Sequence, residues 1–191
     1  MGLILNALQT LYVGSLCVLM APNAFTQRPL NWLRAIHDYR AEVACSPNFG
    51  YDLCVSRYRA DQMHGIDLSC WKVALNGAEP VHAETIVRFN ETFAGHGFDA
   101  GAAYPAYGMA EATLLISGGR RGAGHVTRTV GPAAQLLVGC GRALVNEEIA
   151  IVEPDRRTRL AQLHVGEIWV NGPNIARAYW NNPEATETGL N

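Results

Sequence analysis

The sequence predicts an α/β protein: a mostly parallel sheet with helices, followed by a β-rich, barrel-like module. Three observations predict it. Short apolar runs alternate with stretches of helical period as far as Ile116, and that alternation builds parallel sheets. Glycine- or proline-marked breaks separate the runs. Beyond Leu136 the runs turn short and strand-like, divided by turn signals at Gly139-Cys140-Gly141, Pro154-Asp155 and Gly172-Pro173. A boundary near residue 135 therefore divides the chain into residues 1–135 and 136–191, and no internal repeat is visible.

The elements follow in order. Leu5, Leu8, Leu11 and Tyr12 stand at helical spacing, Gly14-Ser15 turns the chain, and Leu16 to Met20 reads as a short inner strand. Pro29 to Tyr39 is an amphipathic helix with Leu30, Leu33 and Ile36 on one face. Glu42 to Cys45 is a strand, and Ser46-Pro47-Asn48 caps a helix from Phe49 to about Ala60. Trp71 to Leu75 is apolar enough for an inner parallel strand. Glu79-Pro80 opens a helix that presents Ile86, Phe89 and Phe93 to the core and stops at Gly95. Ala102 to Tyr104 is the next strand, followed by a helix from Met109 to Ile116. A loop rich in glycine around Arg120 and Arg121 leads to strands at Leu136 to Val138, Ile149 to Val152 and Ile168 to Val170.

Composition excludes several classes. At 191 residues the chain can bury a substantial core, and its charged fraction of 17% lies below the usual level of roughly 25%. A net charge of −2 supplies no field for a polyphosphate backbone, so nucleic acid is not expected as a partner. Met1 to Gln27 carries no charge, but Asn6, Gln9, Thr10, Gly14 and Ser15 interrupt it and no basic segment precedes it. It is expected to be buried core rather than a membrane span or signal peptide. Five cysteines without a C-x-x-C pair suit a reducing, cytoplasmic compartment. The six histidines show no metal-ligand spacing.

Two strand–glycine–helix junctions could carry chemistry: Leu75-Asn76-Gly77-Ala78-Glu79-Pro80 and Tyr104-Pro105-Ala106-Tyr107-Gly108-Met109-Ala110-Glu111. Ligands of open parallel sheets bind outside the carboxyl ends of the strands, where such junctions lie. Glycine lets backbone approach a flat ring, and a free helix N-terminus favours phosphate. Tyr107 could stack on a base and Glu111 could ligate magnesium held by phosphates. Equally, Glu79 and Glu111 suit ordinary helix starts, with Tyr107 simply packing. The residues alone leave both readings open.

WKVALNGAEP at 71–80 and YPAYGMAEATLLISGG at 104–119 resemble adenylate-forming enzymes, specifically fatty-acyl-AMP ligases. MGLILNALQTLYVGSLCVLMAP at the start, SPNFGYDLC at 46–54 and GEIWVNGPNIARAYWNNPEAT at 166–186 agree, in the family's order. The alanines flanking Glu111 set this branch apart from relatives with threonine-glutamate there.

The resemblance implies part of the family's large N-terminal domain and activation of a fatty acid by ATP. The acyl-adenylate would pass its acyl group to an acyl carrier protein, typically feeding a polyketide synthase or lipid assembly. It further implies that Gly77, Ala78, Glu79 and Pro80 wall the adenine site and that Tyr107 lies against the base. Gly108, Met109 and Ala110 would pass near the α-phosphate, and Glu111 would be the catalytic magnesium ligand. Met1 to Leu5 and Pro47 to Tyr51 would border an acyl tunnel.

The family's phosphate loop and a histidine-aspartate pair are expected upstream of Met1, and its ribose aspartate and adenylation lysine downstream of Asn191. The chain accordingly reads as an internal piece, inactive alone. A non-catalytic binding protein derived from such a ligase, and a piece of a long-chain acyl-CoA ligase, are the alternatives.

Overall fold

A computed structural model describes residues 2–131 and 133–190. The chain opens with a wide π-helical stretch, Gly2–Leu8, that tightens into α1 (Gln9–Val13), and Gly14 closes it in the left-handed conformation, φ 68°. Next come α2 (Pro22–Gln27), α3 (Leu30–Asp38), β1 (Val43–Ser46), α4 (Asn48–Ser56) and α5 (Ala60–Met63). They are followed by β2 (Val73–Asn76), α6 (Ala83–Phe93) and β3 (Ala103–Tyr107). Strands then dominate: β4 (Ser117–Gly118), β5 (Val126–Val130), β6 (Gln135–Gly139), β7 (Arg142–Ala143), β8 (Glu148–Glu153), β9 (Thr158–Arg159) and β10 (Glu167–Asn171). The last element is α7 (Pro183–Leu190).

The main sheet has the order β1-β2-β3-β4-β7. Its first three strands are parallel, with Val43 opposite Val73 and Ala74 opposite Ala103, and β4 and then β7 extend it through antiparallel pairings. Separate antiparallel units follow, the β5–β6 hairpin and the sheet β10-β8-β9. This is the expected α/β arrangement with a β-rich continuation; among the described residues no strand set closes into a barrel.

The core lies against the parallel strands. α3 buries Leu30, Leu33 and Ile36, the face its spacing predicts, and α6 buries Ile86, Phe89 and Phe93. Trp71 is fully buried between them, with the rings of Trp32, Tyr51, Phe89 and Phe98 around it. The five cysteines are free, and burial pushes the Cys54 thiol up to about 12, so it packs as a small apolar group.

Four expected elements come out differently. The helix expected over Met109 to Ile116 is one 3₁₀ turn, Ala110–Ala112. There the sheet outcompetes local propensity: the Ile116 N–H donates to the Tyr107 carbonyl and its carbonyl accepts from Leu144 N–H. The helix expected from Glu79 starts at Ala83 instead, because one side chain of a neighbouring element, Asn48 of α4, holds the loop before it. The helix from Phe49 ends at Ser56, where Tyr58 turns to pack on Phe93 and His96. Finally, Leu16 to Met20 forms no strand.

The opening segment, helical turns and the stretch after them alike, presents an apolar surface. Leu3 is 68% exposed, Leu11 76%, Tyr12 88%, Leu16 73% and Leu19 70%, where a buried helix and strand were expected. Apolar spacing reports a tendency to be covered, not whether a cover is present. The double substitution Leu11→Glu and Leu16→Glu should change unfolding free energy by no more than about 0.5 kcal/mol. Self-association, followed by light scattering across a concentration series, should fall. No helix among the described residues is long and apolar enough to cross a membrane.

Candidate ligand site at the strand ends

The two glycine junctions meet. At the carboxyl ends of β2 and β3 lies a cavity of about 370 Å³. Gly77 and Ala78 from the first junction and Tyr107, Gly108, Met109 and Ala110 from the second line it. Leu114 and Leu115 supply apolar wall from the returning chain, and Ile4 and Leu5 from the opening helical stretch. No charged side chain is among the lining residues.

Close backbone approach explains both glycines. A Cβ on Gly77 would stand 2.7 Å from the Ala106 carbonyl oxygen, and one on Gly108 would run into the Leu114 carbonyl and sit 3.0 Å from Leu115 Cα. Two lining residues adopt positive φ without being glycine: Ala78 at φ 72° and Thr113 at φ 64°. Such conformations cost on the order of 1–3 kcal/mol each and persist where surrounding structure over-determines them, commonly at ligand sites. Neither is visible in the sequence as a departure from type.

The other expected site residues sit around the cavity rather than in its lining. Glu79 is exposed; its Oε1 accepts from Asn48 Nδ2 at 3.0 Å, and the Pro80 carbonyl accepts from the same amide at 2.9 Å. Glu111 is half-buried and accepts a 2.6 Å hydrogen bond from the Tyr179 hydroxyl. That bond holds the Glu111 carboxyl below the usual carboxylate range and raises the Tyr179 phenol. Of the Met1 to Leu5 stretch, Ile4 and Leu5 reach the cavity, while Met1 lies outside the described residues. The Pro47 to Tyr51 stretch does not line it; Tyr51 is buried in the core and donates to the Leu75 carbonyl at 2.9 Å.

Sequence reasoning missed a strap. After β10 the chain returns over the 3₁₀ turn: Ala176 N–H donates to the Glu111 carbonyl at 2.6 Å, and Thr113 Oγ1 donates to the Asn174 carbonyl at 2.9 Å. Asn174 Nδ2 donates to the Ala112 carbonyl at 2.9 Å and to Glu147 Oε1 at 2.6 Å. Asn174 and Tyr179 stand in GPNIARAYW, and more than sixty residues separate them from the turn they hold.

Comparison with known proteins finds relatives along nearly the whole chain. Residues 1–180 match the family described as AMP-binding enzyme. Over 205 aligned residues the chain is 43% identical to a medium-chain-fatty-acid–[acyl-carrier-protein] ligase of Teredinibacter turnerae, covering 100% of this chain and 32% of that protein. A ligase of the same description from Moorena producens is 40% identical, covering 97% of this chain and 34% of the relative. The chain thus spans about a third of the length of these curated relatives. A crystal structure of a fatty acyl-adenylate ligase from L. pneumophila, in complex with acyl adenylate and pyrophosphate, superposes with a TM-score of 0.93 at 40% identity. It covers 98% of this chain and 36% of that one.

Proposed function

Because the chain belongs to the AMP-binding enzyme family, we propose that it supplies the acyl-adenylate-holding part of a ligase that activates fatty acids with ATP. In the reaction proposed for the intact enzyme, a fatty-acid carboxylate oxygen attacks the α-phosphorus of ATP and pyrophosphate leaves. The thiol of an acyl carrier protein then takes the acyl group and releases AMP. The observation that carries this reading is the cavity shared by the two glycine junctions and apolar walls at the strand ends. Residues 1–135 then hold the cavity, and residues 136–191 contribute the strap that fixes its rim.

Within it, Gly77 and Ala78 offer flat backbone to the adenine, Tyr107 lies against the base, and Gly108 to Ala110 pass beside the α-phosphate. Ile4, Leu5, Leu114 and Leu115 face the start of the acyl chain. Glu79 and Pro80 act at the rim, through their anchoring. Glu111 is the magnesium ligand of this reading. Its donor chemistry fits: Glu111 is a half-buried carboxylate held below the usual carboxylate range by the Tyr179 hydroxyl. A lone carboxylate suits magnesium that takes its remaining ligands from phosphates and water. Bound magnesium offsets phosphate charge.

The lining carries no cation, and the one lysine of the chain, Lys72, is tied to the Ser69 carbonyl at 2.5 Å. Most of the rate in phosphoryl chemistry comes from preorganised charge. The isolated chain is therefore expected to bind a non-hydrolysable acyl-adenylate analogue with saturable heat in calorimetry, competed by AMP. Fatty-acid-dependent pyrophosphate exchange should stay at background. Absence of heat overturns the binding site, and robust exchange overturns the need for charge from elsewhere. The same chargeless lining favours one second reading, a ligase-derived binding module without turnover. For that reading, exchange must stay absent even when a phosphate loop and lysine are supplied by fusion.

A further inference from the structure

We propose that Asn48 is a positioning residue for the cavity, holding the 76–82 segment in the shape that presents Gly77 and Ala78. The proposal rests on the acyl-adenylate reading above for what the cavity holds, but not for how the segment is fixed. Asn48 is the first residue of α4 and only 3% exposed. Its amide is fully used. Oδ1 accepts from Asn76 Nδ2 at 3.0 Å and from His82 N–H at 3.0 Å; Nδ2 donates to Glu79 Oε1 at 3.0 Å and to the Pro80 carbonyl at 2.9 Å.

An asparagine at a helix start ordinarily caps its own helix. Here the four bonds go to residues 28 to 34 positions away, and the start of α4 has no side-chain cap. The grip therefore serves the neighbouring segment. It closes on both ends, Asn76 and His82, and twice between them. Inside that span Ala78 is left-handed at φ 72°, a conformation that relaxes unless its flanks are fixed.

The side chain is specified by its chemistry. Two acceptor sites and two donors in a short rigid fork belong to asparagine. Aspartate would lose both donors and face the Glu79 carboxylate. Alanine would remove the acceptor of the His82 N–H and leave the buried Asn76 amide without its partner, the costly half of breaking a buried hydrogen bond.

Hydrogen exchange by mass spectrometry on the full chain, with calorimetry of the acyl-adenylate analogue, tests this. In Asn48→Ala, amides of 76–82 should exchange about tenfold faster while α3 and α6 keep their protection, and the analogue should bind about tenfold more weakly. Glu79→Ala, at an exposed site, should loosen the same segment to a smaller degree because the Pro80 bond remains. Unchanged exchange at 76–82 in Asn48→Ala overturns the proposal, as does a loosened segment with unchanged affinity. Should Asn48→Ala unfold globally, Glu79→Ala decides: selective loosening supports the role and unchanged exchange overturns it. If the unsubstituted chain binds no analogue, the acyl-adenylate reading falls, and the exchange arm alone decides on Asn48.

Discussion

Trp71→Ala is expected to cost about 3–5 kcal/mol of unfolding free energy, a large share of the 5–15 kcal/mol that holds a typical domain together. Trp71 is 0% exposed. Ring centroids of Trp32, Phe98 and Phe89 lie 5.1, 5.2 and 5.9 Å away in edge-on geometry, and Tyr51 stacks on it at 6.2 Å. Those four rings come from α3, α4, α6 and the loop before β3, so one indole links the helices that cover the sheet. Its Nε1 donates to the Val73 carbonyl at 2.9 Å, tying the same ring to β2. Truncation removes the ring, leaves a cavity that four large neighbours cannot collapse into, and removes the Nε1 bond to the Val73 carbonyl. Urea unfolding followed by circular dichroism measures the loss. Trp180→Ala, at 92% exposure, is the control and should stay within about 0.5 kcal/mol. A Trp71→Ala loss below about 1 kcal/mol would show that the core is not centred there.

The parts of this molecule legible in its sequence are those where local period and burial agree. α3 and α6 announce themselves through Leu30, Leu33 and Ile36, and through Ile86, Phe89 and Phe93, because each helix satisfies its own backbone and needs only one apolar face. The two glycine junctions were legible for a related reason, since chain breaks after inner strands sit where parallel sheets hold ligands. What was not legible depends on partners distant in the chain. Met109 to Ile116 has helical composition, yet Tyr107 and Leu144 claim the backbone of Ile116. Ala78 and Thr113 give no sign of positive φ, because alanine and threonine do not prefer it. The strap through Asn174 and Tyr179 is invisible to any local pattern, being made of single polar contacts across long separation.

Gly108→Ala is expected to abolish binding of an acyl-adenylate analogue while leaving the aromatic core intact. The reading of Gly108 from sequence rests on ligand approach, but geometry adds a constraint within the chain itself. The 108–116 excursion leaves β3 and folds straight back, the Ile116 N–H closing on the Tyr107 carbonyl at 2.9 Å. The narrow base of that excursion brings Gly108 against the Leu114 carbonyl and Leu115 Cα. Backbone cannot step aside as a flexible side-chain tip can, so one methyl group must push the two arms apart. Overpacking of this kind costs about 1–3 kcal/mol, less than the Trp71 truncation, and the displacement falls on the cavity wall that Leu114 and Leu115 share with Gly108. Affinity should therefore vanish in calorimetry before the fold does, with tryptophan fluorescence and far-ultraviolet dichroism unchanged. Gly119→Ala is the matched control: its nearest neighbour is the Tyr104 ring at 3.9 Å, and it should be silent in both measurements. Wild-type affinity in Gly108→Ala would mean that the ligand does not use this wall, and the site would have to be sought away from the strand ends.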